Sequence, residues 1–213
     1  MTKELPLIVL AGGQSTRMGI PKGLFFYDGE FWLDRQIKSY WECGLRELVV
    51  VLGYRFEEYQ QKLSWSRFDE WFEYRGLQVV VTLNREPQYG PFSSLCCGLT
   101  FFHKNISTEG VFVSPVDVPC PDRKTFSLLK KTLAANTDVF VCRPKFEEKR
   151  GHPILLSRTF AETLLLSTVT DPSSRLDLKI QALDDKKCKD VDVDDKKILF
   201  NMNTPEDFAN LRA

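Results

Sequence analysis

The 213-residue chain is 43% hydrophobic and 27% charged, and its 29 lysines and arginines balance 29 aspartates and glutamates. These fractions suit one large globular domain, and a formal net charge of zero excludes a global field that would draw the chain to nucleic acid or an anionic membrane, so any anion site is local. Six cysteines without a C-x-x-C pair read as small core hydrophobes, and two histidines far apart in sequence make no zinc cluster.

Leu7 to Ala11 reads as a buried strand, too short to cross a bilayer and with no signal-peptide layout before it, so the cytoplasm is the expected location. Glycines 12, 13 and 19 follow, interleaved with Gln14, Ser15, Thr16 and Arg17 and ending at Lys22. Glycines let backbone N–H groups approach phosphate oxygens, and Arg17 and Lys22 add charge where the loop alone supplies dipoles. The stretch is neither of the two commonest glycine loops: Lys22 is misplaced for a Walker loop, and no G-x-G-x-x-G is present.

Asp28-Gly29 reads as a turn, and Leu33, Ile37, Tyr40 and Trp41 recur at helical spacing until Gly44. Leu48 to Gly53 reads as a strand buried on both faces, Tyr54 to Leu63 as a helix and Leu77 to Leu83 as a third strand. Between them, Ser64 to Arg75 carries Trp65, Phe68, Trp71, Phe72 and Tyr74, read as a helix whose aromatic stripe packs on the body or as a dimer or ligand-pocket surface. After the Gly90-Pro91 loop, Ser93-Ser94 reads as the cap of a helix through Leu95, Leu99 and Phe102, with Gly98 allowing close packing.

Gly110 to Asp117 reads as a strand ending on an acid, then a helix carries Phe126, Leu129 and Leu133 on one face. Asp138 to Cys142 reads as a strand, and Ile154 to Leu156 as one that pairs near it. Lys186 to Lys197 alternates apolar and acidic residues like an exposed edge strand, and Asp171-Pro-Ser-Ser-Arg175 reads as solvated charge. The alternation of strands and helices predicts a single domain, 1–213, in the form of a Rossmann-like three-layer α/β sandwich: a mostly parallel sheet with helices on both faces. Its ligands are expected at the strands' carboxyl ends, where the glycine loop and Asp117 fall.

A lone strand-end carboxylate such as Asp117 suits Mg²⁺ on nucleotide phosphates better than zinc, although a loop Asp can also simply cap the next turn. Thr204, Pro205 and Asp207 read as N-cap, first helical position and capping box. Asn201 and Asn203, just before that cap, offer amide oxygens that could complete a magnesium shell, without the charge an Asp would bring.

Leu10-Ala-Gly-Gly-x-Ser15-x-Arg17-Met18-Gly19-x-x-Lys22 resembles the signature of the nucleotidyltransferases that make the dinucleotide forms of the molybdenum cofactor. Asn84-x5-Gly90-x-x-Ser-Ser94-Leu, Arg150-Gly-His-Pro153 and Asn201-x-Asn203-Thr-Pro-Glu-Asp207 are similar to later elements of that family, in family order. The resemblance implies the fold of the nucleotide-diphospho-sugar transferases. It also implies transfer of a nucleoside monophosphate from an NTP to the phosphate of molybdopterin, with transient contact to molybdoenzymes or cofactor-synthesis proteins. The implied nucleotide site is Leu10, Ala11, Gly12, Gly13, Ser15, Arg17, Gly19, Lys22, Asn84 and Ser94. Arg17, Lys22 and Asp117 carry the chemistry, and Asp117 with Asn203 holds Mg²⁺.

Gly12 looks like the guanylyltransferase form, whereas the S-S-L and R-G-H-P elements look like the cytidylyltransferase form; GTP is slightly favoured. His152 is read as a substrate contact or structural residue, because a phosphate nucleophile is already ionised at pH 7. Two rival readings are a nucleotidyltransferase acting on a sugar or polyol phosphate, and a non-catalytic nucleotide-binding module on the same fold.

Overall fold

The structure, a computed structural model, describes residues 5–103, 108–171 and 173–211, without the side chains of Phe102 and His103. The readings placed on those two side chains and on Pro172 lie outside the described residues. Strand β1 is Leu7–Leu10, and a short hairpin of β2 (Phe26–Tyr27) and β3 (Glu30–Phe31) turns at Asp28-Gly29, both with positive φ. Helix α1 (Trp32–Glu42) leads to β4 (Glu47–Leu52), α2 (Phe56–Lys62), β5 (Phe72–Tyr74), β6 (Leu77–Leu83) and α3 (Pro91–His103). The second half runs β7 (Gly110–Pro115), α4 (Arg123–Ala135), β8 (Val141–Phe146), β9 (Lys149–Arg150), β10 (Ile154–Ser157), α5 (Arg158–Leu165), α6 (Leu176–Gln181), β11 (Cys188–Asp192) and α7 (Pro205–Asn210).

The main sheet has the order β11-β8-β10-β7-β1-β4-β6-β5, with β9 beside β8. Strands β1, β4, β6, β7, β8 and β11 run one way and β5, β9 and β10 run against them, so the sheet is mostly parallel as expected. The two-residue period of a strand sorts its side chains between two cores. Leu7, Val9, Leu48 and Val50 pack with Leu33 and Ile37 of α1 and Leu129 of α4. Ile8, Val49 and Val51 pack on the other face with Leu95 and Leu99 of α3 and Phe160 of α5. Gly98 brings α3 against the sheet: a Cβ there would lie 2.8 Å from Ile8 Cγ2.

The aromatic stretch 64–75 is not a helix. Phe72 and Tyr74 alternate along the antiparallel edge strand β5, and Gly76 at φ +81° turns it into β6. Trp65 stacks on Tyr74 at 4.3 Å, and both donate to the buried Asp34 carboxylate of α1, Trp65 from Nε1 at 2.8 Å and Tyr74 from its hydroxyl at 3.0 Å. One acceptor holding two donors outweighs the helical spacing of the rings, because a buried indole N–H without a partner costs free energy.

Two further expectations shift. Strand β8 starts at Val141 rather than Asp138 and runs through Pro144. It pairs with β10 only at Val141 and Cys142, so Pro144 lies beyond the end of that ladder and removes no bond from it. Helix α3 starts at Pro91, so Ser93 and Ser94 lie inside its first turns and do not cap it; the Ser93 hydroxyl donates back to Gly90 O at 2.8 Å.

Candidate functional site

Strand β1 has β4 on one side and β7 on the other, and the chain connections leave in opposite directions there. At such a switch point two loops part above the strand ends and leave a crevice. The glycine loop forms one wall. Ala11 N donates to Val51 O at 2.8 Å and Tyr54 N to Gly12 O at 3.2 Å, which binds the loop after β1 to the loop after β4. A Cβ on Gly12 would lie 3.1 Å from Ser94 Oγ and 3.3 Å from Gly53 N, so two backbones and a serine hydroxyl meet where a side chain has no room. Ser15 takes a left-handed φ of +53° and its hydroxyl accepts from Lys22 N at 3.1 Å, closing the loop on itself. Gly19, at φ +72°, supplies the turn between them.

The opposite wall is the segment after β7, and α1 fixes it from beneath. Trp32 Nε1 donates to Val116 O and Gln36 Nε2 to Val118 O, both at 2.7 Å, while Gln36 Oε1 accepts from Cys120 N at 2.8 Å. Asp117 is thereby presented to the cleft on a backbone bonded on both sides. Its own carbonyl accepts from Met202 N at 2.7 Å, tying it to the Asn201–Asn203 segment. That segment is anchored by the expected capping box: Asp207 Oδ2 accepts from Asn203 N at 2.8 Å and Thr204 N at 2.9 Å, and Asp207 N donates to Thr204 Oγ1 at 3.4 Å.

These three loops converge on one ammonium group. Lys22 Nζ donates to Asp117 Oδ2 at 2.5 Å and to Asn203 Oδ1 at 2.7 Å, and Arg17 Nη2 donates to the same Asn203 oxygen at 2.9 Å. Two cations and one carboxylate leave the cluster with net positive charge, in line with an anion-binding role. A carboxylate and an amide oxygen aimed at one positive charge are also a donor pair that suits a hard divalent cation. No group of three or more His, Cys, Asp or Glu among the described residues could hold a metal alone, so such an ion would complete its shell with phosphate and water. Asn201 faces elsewhere, donating from Nδ2 to Leu199 O at 3.3 Å.

A cleft of about 520 Å³ runs along this surface, within the range of small-ligand sites. Of the residues expected from sequence, Leu10, Ala11, Gly12, Gly13, Ser15, Arg17, Lys22, Ser94 and Asp117 line it. Asn84 lies behind the wall, donating from Nδ2 to Ser93 Oγ at 2.8 Å and Ser94 Oγ at 3.0 Å. Asn203 reaches the cleft through Lys22 and Arg17, and Gly19 shapes the loop without lining it. Tyr54, Pro87, Gln88 and Pro91 also line it, and sequence reasoning did not single them out as site residues. The one local signal was an apolar strand ending in Gly53 beside the glycine loop. Burial lowers the pKa of the His152 imidazole and the nearby Asp117 carboxylate opposes that shift, so the ring is neutral at pH 7.

The pattern described as the MobA-like NTP transferase domain matches residues 7–176. The chain belongs to this family. A curated relative, the probable molybdenum cofactor guanylyltransferase of Bacillus cereus (strain Q1), is 27% identical over 137 residues, 63% of this chain and 59% of that protein. The match thus spans under two thirds of the curated relative's length. Rv0371c of Mycobacterium tuberculosis H37Rv superposes with a TM-score of 0.72 at 20% identity, covering 98% of each chain, and has also been solved with manganese. Molybdopterin-guanine dinucleotide biosynthesis protein A of Archaeoglobus fulgidus superposes at 0.67 with 19% identity, covering 97% of this chain and 96% of that one. At these identities the two superpositions establish the fold alone.

Proposed function

We propose that this MobA-like chain transfers a nucleoside monophosphate from an NTP, GTP in preference to CTP, to the terminal phosphate of molybdopterin and releases pyrophosphate. The observation that carries this reading is the meeting of Lys22, Arg17, Asp117 and Asn203 beside a cleft with the glycine loop as one wall. A phosphate oxygen of the acceptor attacks the α-phosphorus in line, and the bond to the bridging oxygen of pyrophosphate breaks. The nucleophile is already an anion, so no general base is needed, consistent with a neutral His152.

What remains for the protein is positioning and charge neutralisation. Backbone N–H groups of the 12–19 loop, Arg17 and Lys22 face the triphosphate. Asp117 and Asn203 would hold Mg²⁺, which when bound supplies positive charge to the phosphates. The preference for GTP rests on Gly12 in the Leu10-Ala-Gly-Gly13 stretch, which resembles the guanylyltransferase form.

A thermal-shift panel of GTP, CTP, ATP and UTP with Mg²⁺ tests the nucleotide half of this reading, since a ligand that binds only the folded state raises its melting temperature with affinity. GTP is expected to give the largest shift and CTP the next. Equal shifts from all four would remove the base preference. Pyrophosphate release with a sugar phosphate but not with molybdopterin would select the rival acceptor, and nucleotide binding with no release under any acceptor would select a non-catalytic module.

A further inference from the structure

The two peptide groups that flank the Cα of Lys22 are each held by one side-chain oxygen. The Lys22 N–H donates to Ser15 Oγ at 3.1 Å, and the next N–H, on Gly23, donates to the phenol oxygen of Tyr59 at 3.2 Å. A physical need lies behind both bonds. Lys22–Leu24 is a single 3₁₀ turn in which Leu24 N donates to Pro21 O at 2.9 Å, so the two N–H groups before Leu24 have no acceptor inside the turn. Tyr59 comes from α2, is 1% exposed, and belongs to the core cluster that also holds Leu24 and Leu33. The fit around Gly23 is close: a Cβ there would lie 2.8 Å from Tyr59 Oη and 3.3 Å from Leu33 Cβ.

We propose that Tyr59 is a positioning residue of this site: by holding the Lys22–Gly23 peptide it aims the Lys22 ammonium at Asp117, Asn203 and the nucleotide phosphates. The inference rests on the transferase reading above, in which Lys22 faces the triphosphate. A lysine stem is flexible, so the place of its ammonium is set by what holds the two ends. At the far end Asp117 and Asn203 accept from it, and phosphates or a metal ion compete for those same groups. The near end keeps its hold throughout, through Ser15 on one side and Tyr59 on the other. Displacing a group of this kind by about 1 Å can cost about 10²-fold in rate. Burial raises the Tyr59 phenol above its ordinary value, so the oxygen meets Gly23 as a neutral hydroxyl across the pH range of an assay.

The test is a double-mutant cycle of wild type, Tyr59→Phe, Lys22→Ala and the double variant. It is read as kcat for pyrophosphate release with GTP, molybdopterin and Mg²⁺, as GTP affinity by calorimetry, and as amide exchange at Gly23 by NMR. Phenylalanine keeps the buried ring, so only the oxygen is lost. With Lys22 intact, Tyr59→Phe should lower kcat about tenfold, weaken GTP binding about threefold and speed Gly23 exchange about tenfold, the scale of one hydrogen bond. In the Lys22→Ala background the same substitution should change kcat and GTP affinity by less than about twofold, since a residue that acts through Lys22 has nothing left to act on. Gly23→Ala, which pushes the same peptide off the phenol, is a second variant and should show the same dependence on Lys22. Equal losses in the two backgrounds, or none in either, make Tyr59 a structural residue and overturn the proposal, as does Gly23 exchange unchanged by Tyr59→Phe. Wild type that releases no pyrophosphate with any acceptor sinks the transferase reading instead, and the cycle in GTP affinity then decides the role of Tyr59 by the same criterion.

Discussion

Lys22 contributes more to the account than any other side chain, because its ammonium is the point at which three separate loops meet. Asp117 comes from the end of β7, Asn203 from the segment before α7, and Lys22 itself from the far end of the glycine loop. Removing one electrostatic element of such a site typically costs about 10²- to 10³-fold in rate. Lys22→Ala and Asp117→Ala are each expected to lose turnover by that factor, measured as kcat for pyrophosphate release, while unfolding midpoints stay close to wild type because neither side chain belongs to a core cluster. Gly12 acts through space rather than charge. A Cβ there meets Ser94 Oγ at 3.1 Å and Gly53 N at 3.3 Å and would displace the cleft wall, so Gly12→Ala should weaken GTP binding by about tenfold, roughly 1.4 kcal/mol. Adding Ser94→Ala should recover part of that loss in the same titration; no recovery would show that the contact with Ser94 is not its cause.

At the scale of elements, the tether between α1 and β5 gives the aromatic stretch a structural role. Asp34 is buried on α1 and accepts from both Trp65 and Tyr74, with Arg75 nearby. Asp34→Ala leaves an indole N–H and a phenol O–H short of their acceptor and should cost about 1–3 kcal/mol by urea denaturation. Asp34→Asn keeps the Oδ1 acceptor and should be far milder. Burial raises the pKa of the Asp34 carboxyl, with Tyr74 and Arg75 opposing. A carboxyl raised in the folded state stabilises fully below its ordinary value and loses that contribution as pH rises through its folded value. The stability of Asp34→Asn relative to wild type should therefore rise from acidic to neutral pH. A difference independent of pH would mean that burial does not act on the Asp34 carboxylate. The same region explains why the helical expectation for 64–75 failed. Ring spacing cannot reveal a partner on another element, and Asp34 lies far back in the chain.

On the scale of the whole molecule, the parallel core was legible because strands buried on both faces must be apolar throughout, as Ile8 to Leu10 and Leu48 to Leu52 are. Gly98 was legible for the same reason, and Gly98→Ala should lower the urea midpoint, costing about 1–3 kcal/mol by overpacking against Ile8 and Val51. The glycine loop and Asp117 could be placed at one edge because each follows the carboxyl end of a strand in a mostly parallel sheet. Three things could not. Trp32 and Gln36 support the Asp117 loop through backbone carbonyls, and carbonyls carry no sequence signature. Ser93 and Ser94 look like helix caps, but Pro91 can open a helix one turn earlier. Tyr59 lies in a segment that reads simply as a helix, and its hydroxyl meets Gly23 only once the fold brings α2 against the end of the glycine loop.

The central claim is that this cleft moves a nucleoside monophosphate onto a pterin phosphate. The direct measurement follows label from [α-³²P]GTP and [γ-³²P]GTP, in parallel, into molybdopterin with Mg²⁺ and either wild type or Asp117→Ala. The account predicts that α-label appears in the pterin product, that γ-label appears only in pyrophosphate, and that Asp117→Ala slows the first by about 10²-fold or more. Transfer of the γ-label to the acceptor, or α-label transfer undiminished in Asp117→Ala, would contradict it.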